Sequence, residues 1–332
     1  MFRLRPLWIC FSVMTLASFA LSQTPSSARE KVIIDTDIGS AVDDAFAVAL
    51  ALKSPELDIL GITTTTGDTE LRADLLDRLL SEAGRQDIPV AVGKPTHPPV
   101  SAPFTEDAAM SFSQSVYAKG GTAQHKDHPD AVDFTLEAIR RYPHEVTLIA
   151  IGPLVNVGAM IDKDPTTFLQ LKRVVVMGGS IDKWFNESEF AAPMPQVAEW
   201  NIVHDIPSAQ KLFNSGVSIV MIPLDSTAHL SLDEVERSIL FGRATPLTNA
   251  LAALYSEWGS QTPILYDPMT IAYLLNPQIC PVTPMRIQVD DKGITRKEEG
   301  APNAVVCLHS SRDEFIRFYL ERLVGTASGN HP

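Results

Sequence analysis

The sequence predicts an α/β fold in which a mainly parallel β-sheet is flanked by helices. Short runs rich in Val and Ile alternate along the chain with segments whose apolar residues recur at helical spacing. This alternation is typical of parallel strands that are connected by helices on both faces of a sheet. The composition agrees, because 45% hydrophobic residues in a chain of 332 can bury a large core.

Residues 1–22 are expected to be a secretory signal peptide rather than part of the fold. Arg3 and Arg5 precede an apolar stretch that runs to Leu21, and small residues at its end suit a cleavage site. An uncleaved membrane anchor is the alternative, although the stretch is short for a span. We expect no membrane span after signal removal, a secreted or periplasmic protein, and a single catalytic domain over residues 30–326.

The strands and helices are predicted in alternating order. The strands are short and rich in β-branched residues, as in buried parallel sheets: Val32–Thr36, Leu57–Thr64, Pro89–Val92, Val146–Ile151, Arg173–Met177 and Val217–Ile222. The helices have apolar residues on one face and are predicted from Asp43 onward and over Glu70–Ala83, Ala131–Arg140 and Pro207–Asn214.

The C-terminal part is predicted to be a hairpin, a strand and a closing helix. The hairpin pairs Met285–Val289 with Gly293–Arg296, because a turn signal lies between them. The strand covers Val305–Leu308, and the helix covers Asp313–Leu323. Two further stretches, residues 94–128 and 180–198, are predicted to be long irregular loops.

The charge and the cysteines limit the partners. The formal charge is −13, and removing the positive charges of Arg3 and Arg5 takes it to −15. Such a chain repels polyanions, so we expect neither DNA nor RNA as a polymeric partner. Cys280 and Cys307 remain after signal removal, and they are equally compatible with one disulfide or with two buried thiols.

An acidic motif follows the first predicted strand. Asp35, Asp37, Asp43 and Asp44 place four carboxylates within ten residues, between a strand and a helix. Burying four anions together is costly unless a cation lies between them, and a hard divalent ion suits oxygen ligands. The alternative is an exposed turn followed by an acid-rich helix start, which suits the helix macrodipole.

Acids and amides also recur at the carboxyl ends of the other predicted strands, where ligands bind in open α/β sheets. They are Asp68, Asn156, Glu199, Asn201, Asp225 and Asp267. The pattern indicates a metal site with a polyhydroxylated ligand, because carboxylates accept pairs of hydroxyl protons.

Two other classes of site share features with the acidic motif. The EF-hand calcium loop fails, because Ser40 and Phe46 occupy the places of its glycine and its glutamate. An aspartyl phosphatase would use Asp35 as nucleophile and Asp37 as acid. That scheme leaves Asp43, Asp44 and Asp267 unexplained, so it stays a minor alternative.

At these residues the chain resembles the inosine-uridine-preferring nucleoside hydrolase family, over nearly the whole mature chain. The acidic motif, the Glu199-Trp200-Asn201 run and the Asp267-Pro268 pair occur in the family's order. The resemblance implies a Rossmann-like core and hydrolysis of the N-glycosidic bond of ribonucleosides with one bound Ca²⁺. It also suggests a homodimer or homotetramer.

The resemblance also implies roles for individual residues. The Ca²⁺ ligands would be Asp37, Asp44, Asp267 and the carbonyl of Ile151, and Asp37 would also be the catalytic base. Asp35 would support these ligands from behind. The substrate-binding residues would be Asp43 at the ribose diol and Asp68, Met177, Glu199 and Asn201 around the sugar.

Four departures from the family pattern concern this site. The motif is two residues longer than the commonest form, between Gly39 and Asp43. Asp68 stands where asparagine is frequent, and Ile151 where threonine is frequent. Tyr266 stands where a histidine often helps the base to leave, so leaving-group activation and base preference are unassigned. A non-catalytic, exported nucleoside-binding or ribose-binding protein is therefore the alternative function.

Overall fold

The computed structural model describes residues 28–96, 113–119, 127–182, 197–259 and 261–325. Within them, nine strands form one sheet: β1 Glu30–Thr36, β2 Leu57–Thr64, β3 Val90–Val92, β4 Val146–Ala150, β5 Arg173–Met177, β6 Ile219–Ile222, β7 Val282–Val289, β8 Thr295–Glu298 and β9 Ala304–Cys307. Their order across the sheet is β3-β2-β1-β4-β5-β6-β9-β7-β8.

The helices of the described chain lie mostly between the strands. They are α1 Asp43–Leu52, α2 Thr69–Glu82, α3 Ser115–Lys119, α4 Ala131–Arg141, α5 Val155–Lys163, α6 Pro165–Phe168, α7 Trp200–Val203, α8 Ile206–Asn214, α9 Leu224–Thr227, α10 Glu234–Gly242, α11 Pro246–Glu257, α12 Pro268–Leu275 and α13 Arg312–Val324, with a 3₁₀ turn at Pro277–Ile279. None of the described helices combines the length and the apolar character that a membrane span requires.

The predicted fold class is confirmed. Strands β1 to β6 and β9 pair in parallel, whereas β7 runs antiparallel to β8 and β9. Strand order changes direction between β1 and β4, because the chain builds outward to β2 and β3 on one side and then returns to β4 on the other. In such sheets a ligand crevice forms at the carboxyl ends of the two strands that flank this switch point.

The core has two layers, one on each face of the sheet. On β1, Val32 and Ile34 join the layer that contains α1, α12 and α13, whereas Ile33 joins the layer under α4, α5 and α8. This alternation follows from the two-residue period of a strand. Helix α1 is buried along nearly its whole length, and Tyr319 Oη donates to the Phe46 carbonyl at 3.2 Å.

Three local predictions need correction or completion. The second hairpin strand begins at Thr295 rather than Gly293, because Gly293 has a φ of 77° and its amide closes the turn onto the Asp290 carbonyl. Residues 94–128 were predicted to be irregular but contain α3. Cys280 and Cys307 form a disulfide, which decides between the two alternatives that the sequence left open.

Candidate metal and ligand site

Three buried carboxylates meet at the carboxyl edge of the sheet. Asp43 and Asp44 lie in the first turn of α1, and Asp267 directly precedes α12, which packs against α1. One oxygen from each of these three carboxylates lies within 4.8 Å of the others. Residues about 220 positions apart in the sequence thus converge, whereas the resemblance implied Asp37 rather than Asp43 beside Asp44 and Asp267.

Asp37 lies in the loop between β1 and α1, residues 37–42, which we call the β1–α1 loop. Its side chain is buried and lines the same cavity, but it does not belong to the close trio. Asp43 takes that place, with a carboxylate oxygen within 4.8 Å of oxygens of Asp44 and Asp267. The ligand set of Asp37, Asp44, Asp267 and Ile151 remains a prediction.

Neighbouring side chains fix two of the acids. Thr36 Oγ1 donates to Asp44 Oδ1, and this bond ties the first turn of α1 to the end of β1. Behind them, Asp35 Oδ1 accepts from Thr63 Oγ1 at 2.5 Å and from Asn156 Nδ2 at 2.7 Å. Asp35 Oδ2 is buried and has no hydrogen-bond partner among the described residues. The supporting role that the resemblance implies for Asp35 remains a prediction.

The acids repel one another in a desolvated environment. Burial, with added repulsion from Asp37, raises the pKa of Asp43 to about 6. Burial and the neighbouring carboxylates raise the pKa of Asp44 and of Asp267 well above the ordinary range. Burial also raises the pKa of Asp37, against the lowering effect of the Arg72 guanidinium. Ionising these carboxylates together is therefore costly, and a cation bound among them would lower that cost.

The donor set fits a hard divalent cation. Every side chain in the trio offers oxygen, and neither His nor Cys belongs to it. Oxygen-only sites of this kind suit Ca²⁺ or Mg²⁺ rather than zinc, copper or an iron–sulfur cluster. Asp35, whose Oδ2 is buried without a hydrogen-bond partner among the described residues, is a further carboxylate that interacts electrostatically with Asp37.

A cavity of about 360 Å³ opens over these acids, which is within the size range of small-ligand sites. Besides Asp37 and the trio, its walls include five residues that the sequence predicted: Ile151, Met177, Glu199, Asn201 and Tyr266. No Lys, Arg or His lines the cavity in the part of the chain that the structure describes. The carboxylates and the amide in its walls can exchange hydrogen bonds with hydroxyl groups.

Glu199 and Asn201 are held rigidly by the main chain. Glu199 caps α7: its Oε1 accepts from the Asn201 amide at 2.9 Å, and its Oε2 accepts from the Gly179 amide at 3.0 Å. Burial raises the pKa of Glu199 to about 7, although the main-chain donors lower it. Asn201 Nδ2 donates to the carbonyls of Met177 and Ile151, at 3.1 and 3.3 Å, and so links the ends of β5 and β4.

Asp68 is the one predicted substrate-binding residue that the structure places elsewhere. Its side chain is exposed, does not line the cavity, and caps α2 by accepting from the Leu71 amide at 3.1 Å. Aspartate at the end of a strand and before a helix suits either role, and here the capping role accounts for the residue. Its prediction as a ligand to the sugar is not supported by this geometry.

Two tryptophan side chains in the cavity wall and one buried arginine were not predicted from the sequence. Trp200 and Trp258 both line the cavity. Arg72, only 4% exposed, lies under the β1–α1 loop, and no motif marked it in the sequence. Trp184 and Phe185, in the predicted loop over residues 180–198, are compatible from sequence with covering a base or with anchoring the loop, and both lie outside the described residues. Asp225 is a structural partner that accepts from the amides of Ile181 and Asp182.

Comparisons with known proteins agree with this geometry. A family model described as inosine-uridine preferring nucleoside hydrolase matches residues 32–317. The pyrimidine-specific ribonucleoside hydrolase RihA of Citrobacter koseri is 30% identical, over 90% of this chain and 99% of its own. The non-specific ribonucleoside hydrolase RihC of Escherichia coli is 32% identical, over 80% of this chain and 85% of its own.

Solved structures show the same fold. A plant nucleoside hydrolase has a TM-score of 0.74 and 25% identity, with 89% of this chain and 99% of that chain covered. A purine-preferring ribonucleoside hydrolase from Gardnerella vaginalis has a TM-score of 0.74 and 24% identity, with coverages of 89% and 98%.

Proposed function

The chain belongs to the inosine-uridine preferring nucleoside hydrolase family, and we propose that it is an exported, Ca²⁺-dependent enzyme that hydrolyses ribonucleosides to ribose and free base. One observation carries the proposal: Asp43, Asp44 and Asp267 converge, with Asp37, in a cavity that offers carboxylates and amides to a sugar. The disulfide between Cys280 and Cys307 supports export, because such bonds persist in oxidising compartments.

Each acid has a proposed task in the reaction. Asp37, Asp44, Asp267 and the Ile151 carbonyl would hold Ca²⁺, which supplies a lowered pKa for the attacking water and orients the sugar diol. Asp37 accepts the proton of that water as general base. It lies at the cavity wall, where such a water and the sugar can both reach it.

The remaining carboxylates and amides bind and stabilise the sugar. Asp43 accepts hydrogen bonds from the ribose diol, with Asn201 beside it, and Glu199 lies near the 5′-hydroxyl. Positive charge develops on the ribosyl group as the base departs, and the surrounding carboxylates stabilise this oxocarbenium-like state. Met177 covers the sugar. Tyr266 is the lining residue next to Asp267, and the route by which the base gains its proton is unassigned.

The two alternative functions have less support. The phosphatase scheme needs Asp35 as an accessible nucleophile, but Asp35 is 1% exposed and does not line the cavity. A non-catalytic binding protein would keep the acids and the cavity, and the absence of a histidine among the described lining residues is compatible with it.

The deciding experiment is an assay of base and ribose release from purine and pyrimidine ribonucleosides, with chelator and then with excess Ca²⁺. The proposal expects release that the chelator abolishes and that Ca²⁺ restores. Nucleoside binding without release, in protein loaded with Ca²⁺, would favour the binding protein and overturn the enzyme.

A further inference from the structure

The β1–α1 loop has no regular secondary structure, yet the carboxylates on both sides of it depend on its shape. Asp37 begins the loop, and Asp43 follows its last residue. Gly39, in its middle, has a φ of 110°. Buried carbonyls in such a loop need hydrogen-bond donors from elsewhere in the chain.

Arg72 of α2 supplies the donors for the first half of the loop. Its Nη1 donates to the carbonyls of Asp37 and Ile38, the latter at 2.7 Å, and its Nη2 donates to Ser40 Oγ at 2.9 Å. Its Nε donates to the Thr66 carbonyl at 2.7 Å and so fixes the guanidinium plane. The planar fork of arginine suits such simultaneous bonds, which a lysine cannot make.

The residues just before α3 supply the donors for the second half. The Gln114 amide donates to the Gly39 carbonyl at 3.3 Å, and Ser113 Oγ donates to the Ser40 carbonyl at 2.9 Å. Gln114 Nε2 donates to the Ala41 carbonyl at 2.9 Å. The five successive main-chain carbonyls of residues 37–41 therefore all accept hydrogen bonds from Arg72, Ser113 or Gln114.

We infer that Arg72, Ser113 and Gln114 form a clamp that fixes the β1–α1 loop and thereby sets the positions of the carboxylates on either side of it. None of the three lines the cavity, so they are positioning residues that act through the loop. Arg72 also adds a buried positive charge beneath a cluster of acids. The functional consequence of the clamp, tight binding of the cation, rests on the proposed function.

The test uses the mature protein with two clamp variants and two matched controls. The clamp variants are Arg72→Met, which removes the fork, and Gln114→Glu, which turns a donor to the Ala41 carbonyl into an acceptor. The controls are Arg173→Met and Gln210→Glu. Arg173, at the start of β5, forms an ion pair with Glu30. Gln210, on α8, donates to the Val289 carbonyl at 3.1 Å. Neither control residue contacts the β1–α1 loop.

Two measurements are made on each variant. Hydrogen–deuterium exchange of the peptide over residues 36–45, without added cation, reports the order of the loop itself. Calorimetric titration with Ca²⁺ reports the Kd. We expect both clamp variants to speed exchange in that peptide and to raise the Kd by about tenfold, with each control within about twofold of wild type. Arg72→Lys should fall between wild type and Arg72→Met.

The outcomes separate the clamp from the proposed function. Unchanged exchange in both clamp variants, or equal acceleration in the controls, overturns the clamp. Faster exchange with an unchanged Kd overturns its role in placing the carboxylates. A wild type that binds no Ca²⁺ contradicts the proposed function, whereas the exchange data would then still support or refute the clamp by themselves.

Discussion

Gly152 lies directly against Asp37: a Cβ built on Gly152 would come within 2.8 Å of Asp37 Oδ1 and within 2.9 Å of its main-chain nitrogen. Gly152 follows the end of β4, and Asp37 follows the end of β1, so this contact spans the switch point of the sheet. The absence of a side chain at residue 152 thus sets where the proposed base can lie.

Gly152→Ala should displace Asp37 and reduce turnover by about tenfold or more, because contacts this short force one of the two groups to move. The measurement is kcat and KM for base release from the best ribonucleoside. Gly242→Ala is the matched control, since a Cβ there meets nothing within 4 Å. Equal kcat in the Gly152 variant and wild type would show that the contact does not position Asp37.

The substitutions Asp37→Ala and Asp43→Ala should impair different properties of the enzyme. If Asp37 is both ligand and base, its variant should lose Ca²⁺ affinity and turnover together, each by about a hundredfold or more. If Asp43 binds the ribose diol, its variant should raise KM more than the Ca²⁺ Kd. The check is Ca²⁺ calorimetry beside steady-state kinetics for each variant.

The structure makes this pair of variants informative, because Asp43 lies in the close trio and Asp37 does not. A greater loss of Ca²⁺ affinity in Asp43→Ala than in Asp37→Ala would assign Asp43 to the cation and contradict the proposed division of roles.

His128 should make stability depend on pH. Its Nε2 lies 3.4 Å from Asp77 Oδ2, and both side chains are 5% exposed. The bond to Asp77 raises the pKa of His128 above its ordinary 6.5, although burial lowers it. A raised pKa in the folded state means that the stabilisation is complete below pH 6.5 and is lost as the pH rises through the folded pKa.

The Tm difference between wild type and His128→Gln should therefore be largest near pH 5.5 and shrink by about pH 8.5. His128 does not line the cavity, so kcat should be unaffected. A Tm difference that stays constant over this range would mean that the pair carries no charge.

The disulfide should contribute to stability without affecting the site. Replacing Cys280 and Cys307 by alanine removes a bond across 27 residues, and loss of such a bond costs roughly 2 to 4 kcal/mol of unfolding free energy. Urea denaturation of the double variant and of wild type measures this difference. The Ca²⁺ Kd should stay within about twofold of wild type, and a larger change would connect the disulfide to the site.

Much of the fold could be predicted from local sequence, because buried parallel strands are short apolar runs such as Val146–Ala150 and helices repeat their apolar residues at fixed spacing. The acids at the strand ends were found because topology places those ends at one edge. Arg72 and Trp258 were missed, since neither belongs to a local motif and only tertiary packing brings them to the site. Asp68 was misplaced because a helix cap and a sugar ligand call for the same residue type.

Calcium titration of wild type and of Asp267→Asn is the sharpest test of a cation site at these carboxylates. Asp267 is distant in sequence from Asp43 and Asp44. Asparagine in its place keeps the shape of the side chain but removes its negative charge. We predict about one Ca²⁺ per wild-type chain and a Kd that rises by about a hundredfold or more in the variant. Calcium binding of equal strength in both proteins, or none in wild type, would contradict it.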